Sequence, residues 1–460
     1  MKTTFCNRML WLILISGMFT PFIACNKYLE KKQDHSLIVP SSLTDLQALL
    51  DENGLMNVKT PAQMEASSDE YFLTTEEFGY LETGSRKGYL WEPYFPSSDN
   101  DWSKSYLPVY YSNLVLELIR KVPRDNQNKE QWDNIKGSAL FFRSYNFLEL
   151  LWSFTPAYDE NTAKKDMGIP LRQTSDFNVP SVRASNEDSY NKVIQDTKAS
   201  IPLLPDFPLV RTRPSKLAAY GLLARCYLSM RKYKNALIYA DSSLKLYHQL
   251  IDYNGDSDIP DGITAGKPFN QLNKETIFYT LMNGSYYSYI TAEIGSIDTA
   301  IICLYDSKDL RLTAFYYDNA TGHKSFKGCY GTDYMFTGIT TAEMLLIRAE
   351  SYIREGQVSK GLDDLNALRA KRFSPNDFIE VTTSSQQEAL NIVLDERRRE
   401  LVMRGLRWMD LKRLNKEGRG IELKRIIGGQ TYILKPNANY YALPLPEDII
   451  RLTGMPQNPS

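Results

Sequence analysis

Histidine is nearly absent from this chain: only His35, His248 and His323 occur in 460 residues. No H-E-x-x-H is present. The five cysteines, Cys6, Cys25, Cys226, Cys303 and Cys329, form no C-x-x-C pair. Zinc-ribbon, thioredoxin-like and histidine-based metal or catalytic centres are therefore excluded on residue counts alone. An excess of charge is missing too, the net value being −1. Residues 1–24 contain Lys2 and Arg8 but no acid, so the body of the chain is slightly more acidic than the whole. With no basic patch or tail to neutralise phosphates, nucleic-acid binding is a poor fit. Beyond the N-terminus, no stretch approaches the roughly 20 continuous apolar residues that span a bilayer as a helix. Any membrane attachment must come from the N-terminal segment.

That segment has the parts of a secretory signal. Lys2 and Arg8 are followed by an apolar run from about Met9 to Phe19, interrupted by Gly17 and Pro21, and then by small or neutral residues before Cys25. The tetrapeptide Phe22-Ile23-Ala24-Cys25 resembles a bacterial lipobox, with a small residue before the cut and Phe22 in the place of the usual Leu. The expectation is a signal peptide over residues 1–24 and a lipid on Cys25. Cleavage would remove Cys6 and lipidation would occupy Cys25. Three thiols would then remain, enough for one disulfide at most.

Two stretches share one pattern. Aligning Ala224 with Ala349 also pairs Tyr227 with Tyr352, Leu228 with Ile353 and Leu237 with Leu362. Each stretch reads as an apolar helix, a short turn (Arg231-Lys232 or Gly356-Gln357) and a second amphipathic helix. This is the grammar of tetratricopeptide-like units, which bury their faces only by stacking. Further helices are expected near 43–50, near 106–121, over the aromatic-rich stretch that ends at Pro156, and after Ser189, read as an N-cap. The segments at about 61–102 and 251–336 lack a helical period. They are expected to be long irregular insertions whose aromatic content argues against disorder. The predicted fold is mainly α, a helical-repeat scaffold with long irregular insertions forming a ligand-binding face. Within one domain over 25–460, the expected parts are 25–210 with binding loops, repeat units at 211–250 and 341–372, an insertion at 251–340, and a C-terminal part at 373–460.

Aromatic residues make up 12% of the chain, with thirty tyrosines. Their flat faces can stack on the C–H face of a sugar while nearby polar groups orient its hydroxyls. Candidate ligand-binding residues are Tyr89, Trp91, Tyr94 and Trp102, beside Asp99 and Asn100, with Tyr286, Tyr287 and Tyr289 in the second insertion. Trp91 is the leading candidate. Asp252, Asn254 and Asp256 match the opening of a calcium loop. Ser257 stands where that loop needs Gly, however, and Ile263 where it needs Glu, so an acidic surface loop is expected and no metal is assigned. The charged run from Glu396 to Arg413 lacks a nucleophile–base pair. It reads as an ion-paired helix that ties the fold together.

Several motifs, in order along the whole chain, resemble the SusD/RagB family of outer-membrane nutrient-binding lipoproteins of Bacteroidetes. They include the start Cys25-Asn-Lys-Tyr-Leu-Glu, the spaced Trp102, Tyr106, Tyr110 and Asn113, and the ending Gln457-Asn458-Pro459. The most specific is Glu396, Arg397, Glu400, Leu401, Gly405, Arg407, Asp410, Leu411 and Arg413, with Arg404 where the family often has Glu. The resemblance implies a lipid-anchored protein on the outer face of the outer membrane. It would bind glycan and deliver it to a SusC-like TonB-dependent transporter, without enzymatic activity and without a cofactor. In that family, ligand-binding aromatics often come from N-terminal loops and from the second insertion. Capture of oligopeptides and an intracellular repeat scaffold are the alternative readings, and a glycoside hydrolase would need a carboxylate pair that no spacing suggests.

Overall fold

Short polar side chains start most of the long helices. The computed structural model describes residues 40–94, 100–286 and 294–459. Cys25, Asp99, Tyr287 and Tyr289 lie outside those residues. Helix α1 (Leu43–Asp51) opens with a capping box, Ser42 and Asp45 each bonding the other's backbone N–H. Helix α2 (Asp101–Leu118) starts at Asn100, whose Oδ1 accepts from Ser103 N at 3.0 Å. It therefore begins several residues before the position expected from periodicity. Helix α3 (Lys129–Phe154) ends as expected just before Pro156. Helix α4 (Asn186–Ser200) is capped by Ser185 and not by Ser189. Ser189 lies one turn inside, and its hydroxyl donates to Ser185 O.

Helices α5 (Lys216–Ser229), α6 (Tyr233–Leu246), α7 (Thr341–Arg354), α8 (Val358–Arg369), α9 (Gln386–Glu400) and α10 (Arg407–Lys416) complete the scaffold. From α2 to α8 each packs on the next, and α9 lies against α7. The two units aligned in sequence turn in the same way. Arg231 (φ 60°) and Gly356 (φ 77°) are left-handed residues at equivalent positions. The N–H of the residue after each returns to Tyr227 O or Tyr352 O, closing the same helix-end motif twice. Arg231 adopts this strained backbone without being glycine, and its guanidinium donates to Tyr158 O at 2.7 Å. One turn on, Ala236 and Gly361 occupy the tight crossing. A Cβ added at Gly361 would lie 2.5 Å from Ile353 and 2.7 Å from Ala349 O.

The two insertions are less irregular than their sequence suggests. Residues 61–94 include short helices at Gln63–Ala66, Thr75–Gly79 and Thr83–Tyr89. Strand β1 (Tyr71–Phe72) pairs with β2 (Ser296–Ile297), joining the first insertion to the second. The apolar interior has two parts, one among the stacked helices and one formed by the insertions.

A chain of buried charges ties these parts together. Arg372 bridges Glu400 (2.6 Å) and Glu275 (2.8 Å). Arg311 lies close to Asp309 (2.7 Å), Glu396 (2.7 Å) and Glu400 (2.8 Å). Arg413 joins Glu350 to Asp410, and Arg397 also reaches Asp410. Burial alone would raise the Glu396 carboxyl, but Arg311, Arg399 and Arg369 outweigh it and hold the group at about 2. The expected ion-paired staple is thus present. Arg404, in place of the family's frequent Glu, has its guanidinium over the rings of Tyr330 (4.0 Å) and Phe336 (4.9 Å).

The turn inside the signature is held from the N-terminal side. Met403 and Gly405 have φ of 59° and 73°. Met403 N donates to Glu70 Oε2 at 2.5 Å and Gly405 N to Glu65 Oε2 at 2.9 Å. Burial and the neighbouring Glu65 push the Glu70 carboxyl well up.

Arg311→Met should leave three buried carboxylates short of a partner and lower stability by about 3–5 kcal/mol. The urea unfolding midpoint measures this. Glu149 is raised to about 7, mainly by burial, against the pull of Arg225 and with a further push from Glu343. Its neutral form favours the folded state, so this contribution is full below the unfolded carboxyl range and is lost as pH rises toward 7. Glu149→Gln should abolish that loss, leaving the variant more stable than the wild type at pH 8, on the order of 3 kcal/mol. Unfolding midpoints at pH 5 and pH 8 test it.

Candidate functional site

Three of the four N-terminal aromatics proposed as ligand contacts, Tyr89, Trp91 and Tyr94, are part of the packed interior. Trp91 is 8% exposed and donates its indole N–H to Ser67 O at 2.9 Å. The Arg425 guanidinium lies 4.6 Å from its ring and 3.6 Å from the ring of Tyr89. Tyr89 is 1% exposed and its hydroxyl accepts from Leu73 N. Tyr94 is 7% exposed. For Tyr89 and Trp91 the reason is Arg425, which arrives from the C-terminal hairpin, where strands Leu423–Ile427 and Gln430–Leu434 pair around Gly428-Gly429, both at positive φ. Arg425 also donates to Ala66 O, Ser68 O and Tyr89 O. A cation buried among carbonyls and aromatic faces needs those rings as walls. Trp91, the leading candidate contact from sequence, is instead found as a buried wall of the Arg425 site.

Trp102 is just as covered, at 4% exposed, but it lines a groove. It begins a stripe at i, i+4 and i+8 along α2 with Tyr106 and Tyr110, and these rings line a groove of about 270 Å³. The far wall is the 172–181 loop, and Ile449 and Met455 close one end. Trp102 and Tyr106 are tilted against each other at 4.9 Å. Tyr110 is face-stacked with Phe177 at 4.9 Å and 20°. Phe177 is 78% exposed, so its outer face is open to solvent.

The loop carrying Phe177 is built. Arg172 donates to Asp176 O, Val179 O and Ser181 Oγ, so one guanidinium gathers the loop from three sides. Asp176 accepts from Asn178 N and Nδ2, turning the chain at the tip. Asn113 Nδ2 donates to Arg172 O and Thr174 O, while its Oδ1 accepts from Arg143. Neither Phe177 nor Tyr106 and Tyr110 were among the ligand-contact candidates read from sequence, and Phe177 had the weakest mark. Its signal was one large apolar residue between turn-forming Asp176 and Asn178.

The two insertions meet at the start of α2. Asp101 accepts from Ala62 N, Gln63 N and Asn283 Nδ2 at 2.7–2.9 Å. Lys104 Nζ donates to Ser285 Oγ at 2.6 Å. Burial raises the Asp101 carboxyl, opposed by these hydrogen bonds. The segment carrying Tyr286 therefore adjoins the flank of α2 next to the groove. Tyr286 itself closes the short turn Gly284–Tyr286. Tyr334, 48% exposed, stands beside Gly284, where an added Cβ would lie 3.6 Å from its ring.

The acidic 252–258 loop is occupied by its own chain. Asp252 pairs with Lys371 at 2.8 Å and Asp256 with Lys274 at 2.6 Å. Asp252 Oδ1 also accepts from Asn254. Among the described residues, Cys226, Cys303 and Cys329 are free thiols, and burial pushes that of Cys329 up to about 12.

Comparison with known proteins gives a consistent result. Residues 27–228 match a SusD-like family model described as starch-binding and associating with the outer membrane. Residues 306–459 match the SusD family model. A SusD superfamily protein of Bacteroides thetaiotaomicron has a similar structure, with TM-score 0.72 and 19% identity, over 91% of this chain and all of its own 100%. A SusD-like carbohydrate-binding protein of Bacteroides vulgatus gives TM-score 0.67 and 18% identity, over 90% and 96% of the two chains. A SusD-like protein of Formosa agariphila is 33% identical over 97 residues, which span 20% of this chain and 18% of that protein.

Trp91→Ala should act on folding, because it removes a wall of the Arg425 site and leaves Ser67 O without its donor. A loss of about 3–5 kcal/mol is expected in denaturant unfolding. An unchanged unfolding midpoint would contradict the buried placement.

Proposed function

The chain belongs to the SusD/RagB family, and from that premise we propose that it is a cell-surface glycan-binding protein whose ligand lies along the Trp102–Tyr106–Tyr110 stripe. It captures oligosaccharide or polysaccharide and passes it to a SusC-like TonB-dependent transporter in the outer membrane. Binding and not catalysis is its task. A lipid on Cys25 tethers it to the membrane, and among the described residues no helix is long and apolar enough to cross one.

The observation that carries this reading is the groove itself. Three aromatic side chains share one face of α2, and a fourth, Phe177, presents an open ring opposite. Aromatic faces with a few fixed polar groups suit a sugar, whose C–H face stacks while its hydroxyls find donors and acceptors. Arg172 and Asn113 are already committed to loop carbonyls, so they fix the shape of the groove. The Tyr110 hydroxyl is suited to reading a sugar hydroxyl. The second-insertion tyrosines, Tyr286, Tyr287 and Tyr289, are further candidate contacts for the ligand. Trp102 contributes its edge, since it is largely covered.

Phe177→Ala tests the site without threatening the core, because that ring is mostly exposed. On a glycan array followed by calorimetry with the best hit, the variant should bind about tenfold more weakly at unchanged stability, the worth of one well-placed ring. Binding to peptides in place of glycans would overturn the ligand class. Equal affinity of wild type and variant would overturn the site. Deleting the transporter partner should abolish uptake and leave capture intact.

A further inference from the structure

A second cavity, of about 350 Å³, lies where α10 passes the end of α3 and the C-terminal segment. That is within the usual range for small-molecule pockets, about 300–1,000 Å³. Pro156, Met167 and Ala442 give it apolar walls. Three lysines line it, Lys412, Lys165 and Lys416, against one carboxylate, Asp166. Asp166 is engaged by the Thr162 hydroxyl at 2.6 Å. Lys416 reaches Asp159 at 3.4 Å from the exposed end of α10. Asp410, on the same helix, is held by Arg397 and Arg413.

Lys412 is the unusual member. It is 6% exposed, yet among the described residues no carboxylate pairs with it. Its Nζ donates to Trp152 O and Thr155 O, both at 2.6 Å, at the carbonyl end of α3. An ammonium has three donors, so one remains. A buried cation held only by neutral carbonyls lacks the partner that usually compensates its desolvation.

We infer that this cavity is a carboxylate-binding site, with Lys412 as the inner cation, Lys165 and Lys416 at the mouth, and the apolar walls against the organic body of the ligand. The inference is independent of the aromatic groove and of the glycan reading. A carboxylate oxygen takes the remaining Lys412 proton in a charge-assisted hydrogen bond, and the excess of lysine draws an anion inward. The group can come from an acidic sugar or from a peptide C-terminus. Burial lowers Lys412 to about 7. The empty site therefore holds its charge below that pH, and a bound carboxylate extends the charged range upward.

The test uses the whole purified chain with ¹³C-labelled lysine, Lys412 being assigned through Lys412→Arg. Galacturonate, N-acetylglycine and neutral galactose are each titrated while the Lys412 ε-methylene shift is followed across pH. Either acid should raise the Lys412 midpoint by about one unit or more, which corresponds to tenfold tighter binding to the charged form. A response to galacturonate alone assigns an acidic sugar, and one to N-acetylglycine alone assigns a peptide terminus. Lys165→Met/Lys416→Met, changed only at the exposed mouth, should weaken the response about threefold by loss of steering charge. No movement with either acid, or an equal response to galactose, would overturn the assignment.

Discussion

Two buried guanidiniums, those of Arg311 and Arg372, meet on one carboxylate, Glu400, and the rest of the structure is arranged around that meeting. The charges come from three parts of the chain. Arg311 and Glu275 belong to the second insertion, Arg372 follows the second helical repeat, and Glu400 ends α9. Such a cluster adds less net stability than apolar packing of the same volume. What it does impose is geometry, because any misplacement leaves a buried charge unpaired. The insertions have little regular secondary structure to fix them. Charge pairing supplies the register that short two-stranded ladders do not.

The same logic repeats outward from Glu400. Asp410 and Glu350 place α10 against α7 through Arg413, and Asp69 reaches Arg407 at 2.6 Å from the N-terminal side. The Glu65–Glu70 pair then fixes the left-handed turn at Met403 and Gly405. Gly405 is glycine for a local reason, since its φ is positive and Thr337 lies 3.3 Å from where a Cβ would stand. With the frame fixed, α2 is held at its N-terminus by Asp101 and presents its aromatic stripe along one edge. The groove owes its shape to this frame.

Much of the scaffold was legible because its signals are local. Helix periodicity, caps and the Ala224–Ala349 alignment act within a few residues, and the matching turns at Arg231 and Gly356 follow from them. The charged signature was also readable as structure, since it lacked any nucleophile–base pairing. What misled was the aromatic content of the 89–94 loop. Trp91 and Tyr89 look like surface rings until Arg425, far along the chain, is brought over them. Burial of that kind depends on a long-range partner that no window of sequence contains. Less of the groove was legible: Trp102 was a candidate and Tyr106 and Tyr110 stood out only as landmarks of the family resemblance, whereas Phe177 faces them because Arg172 folds its loop back. The start of α2 at Asp101 was missed because Asn100 caps it ahead of the first clear apolar period.

The reach of Arg425 also bears on the order in which the chain can assemble. Its guanidinium serves Ala66 O, which lies 359 residues earlier. A chain emerging from its N-terminus therefore exposes Tyr71, Tyr89 and Trp91 long before the cation that covers them exists. Contacts so distant in sequence form late and slowly, after the loop between them has closed. The segment from Ala66 to Trp91 is in this sense finished last, although it is made first, and the closing hairpin is the piece that completes it.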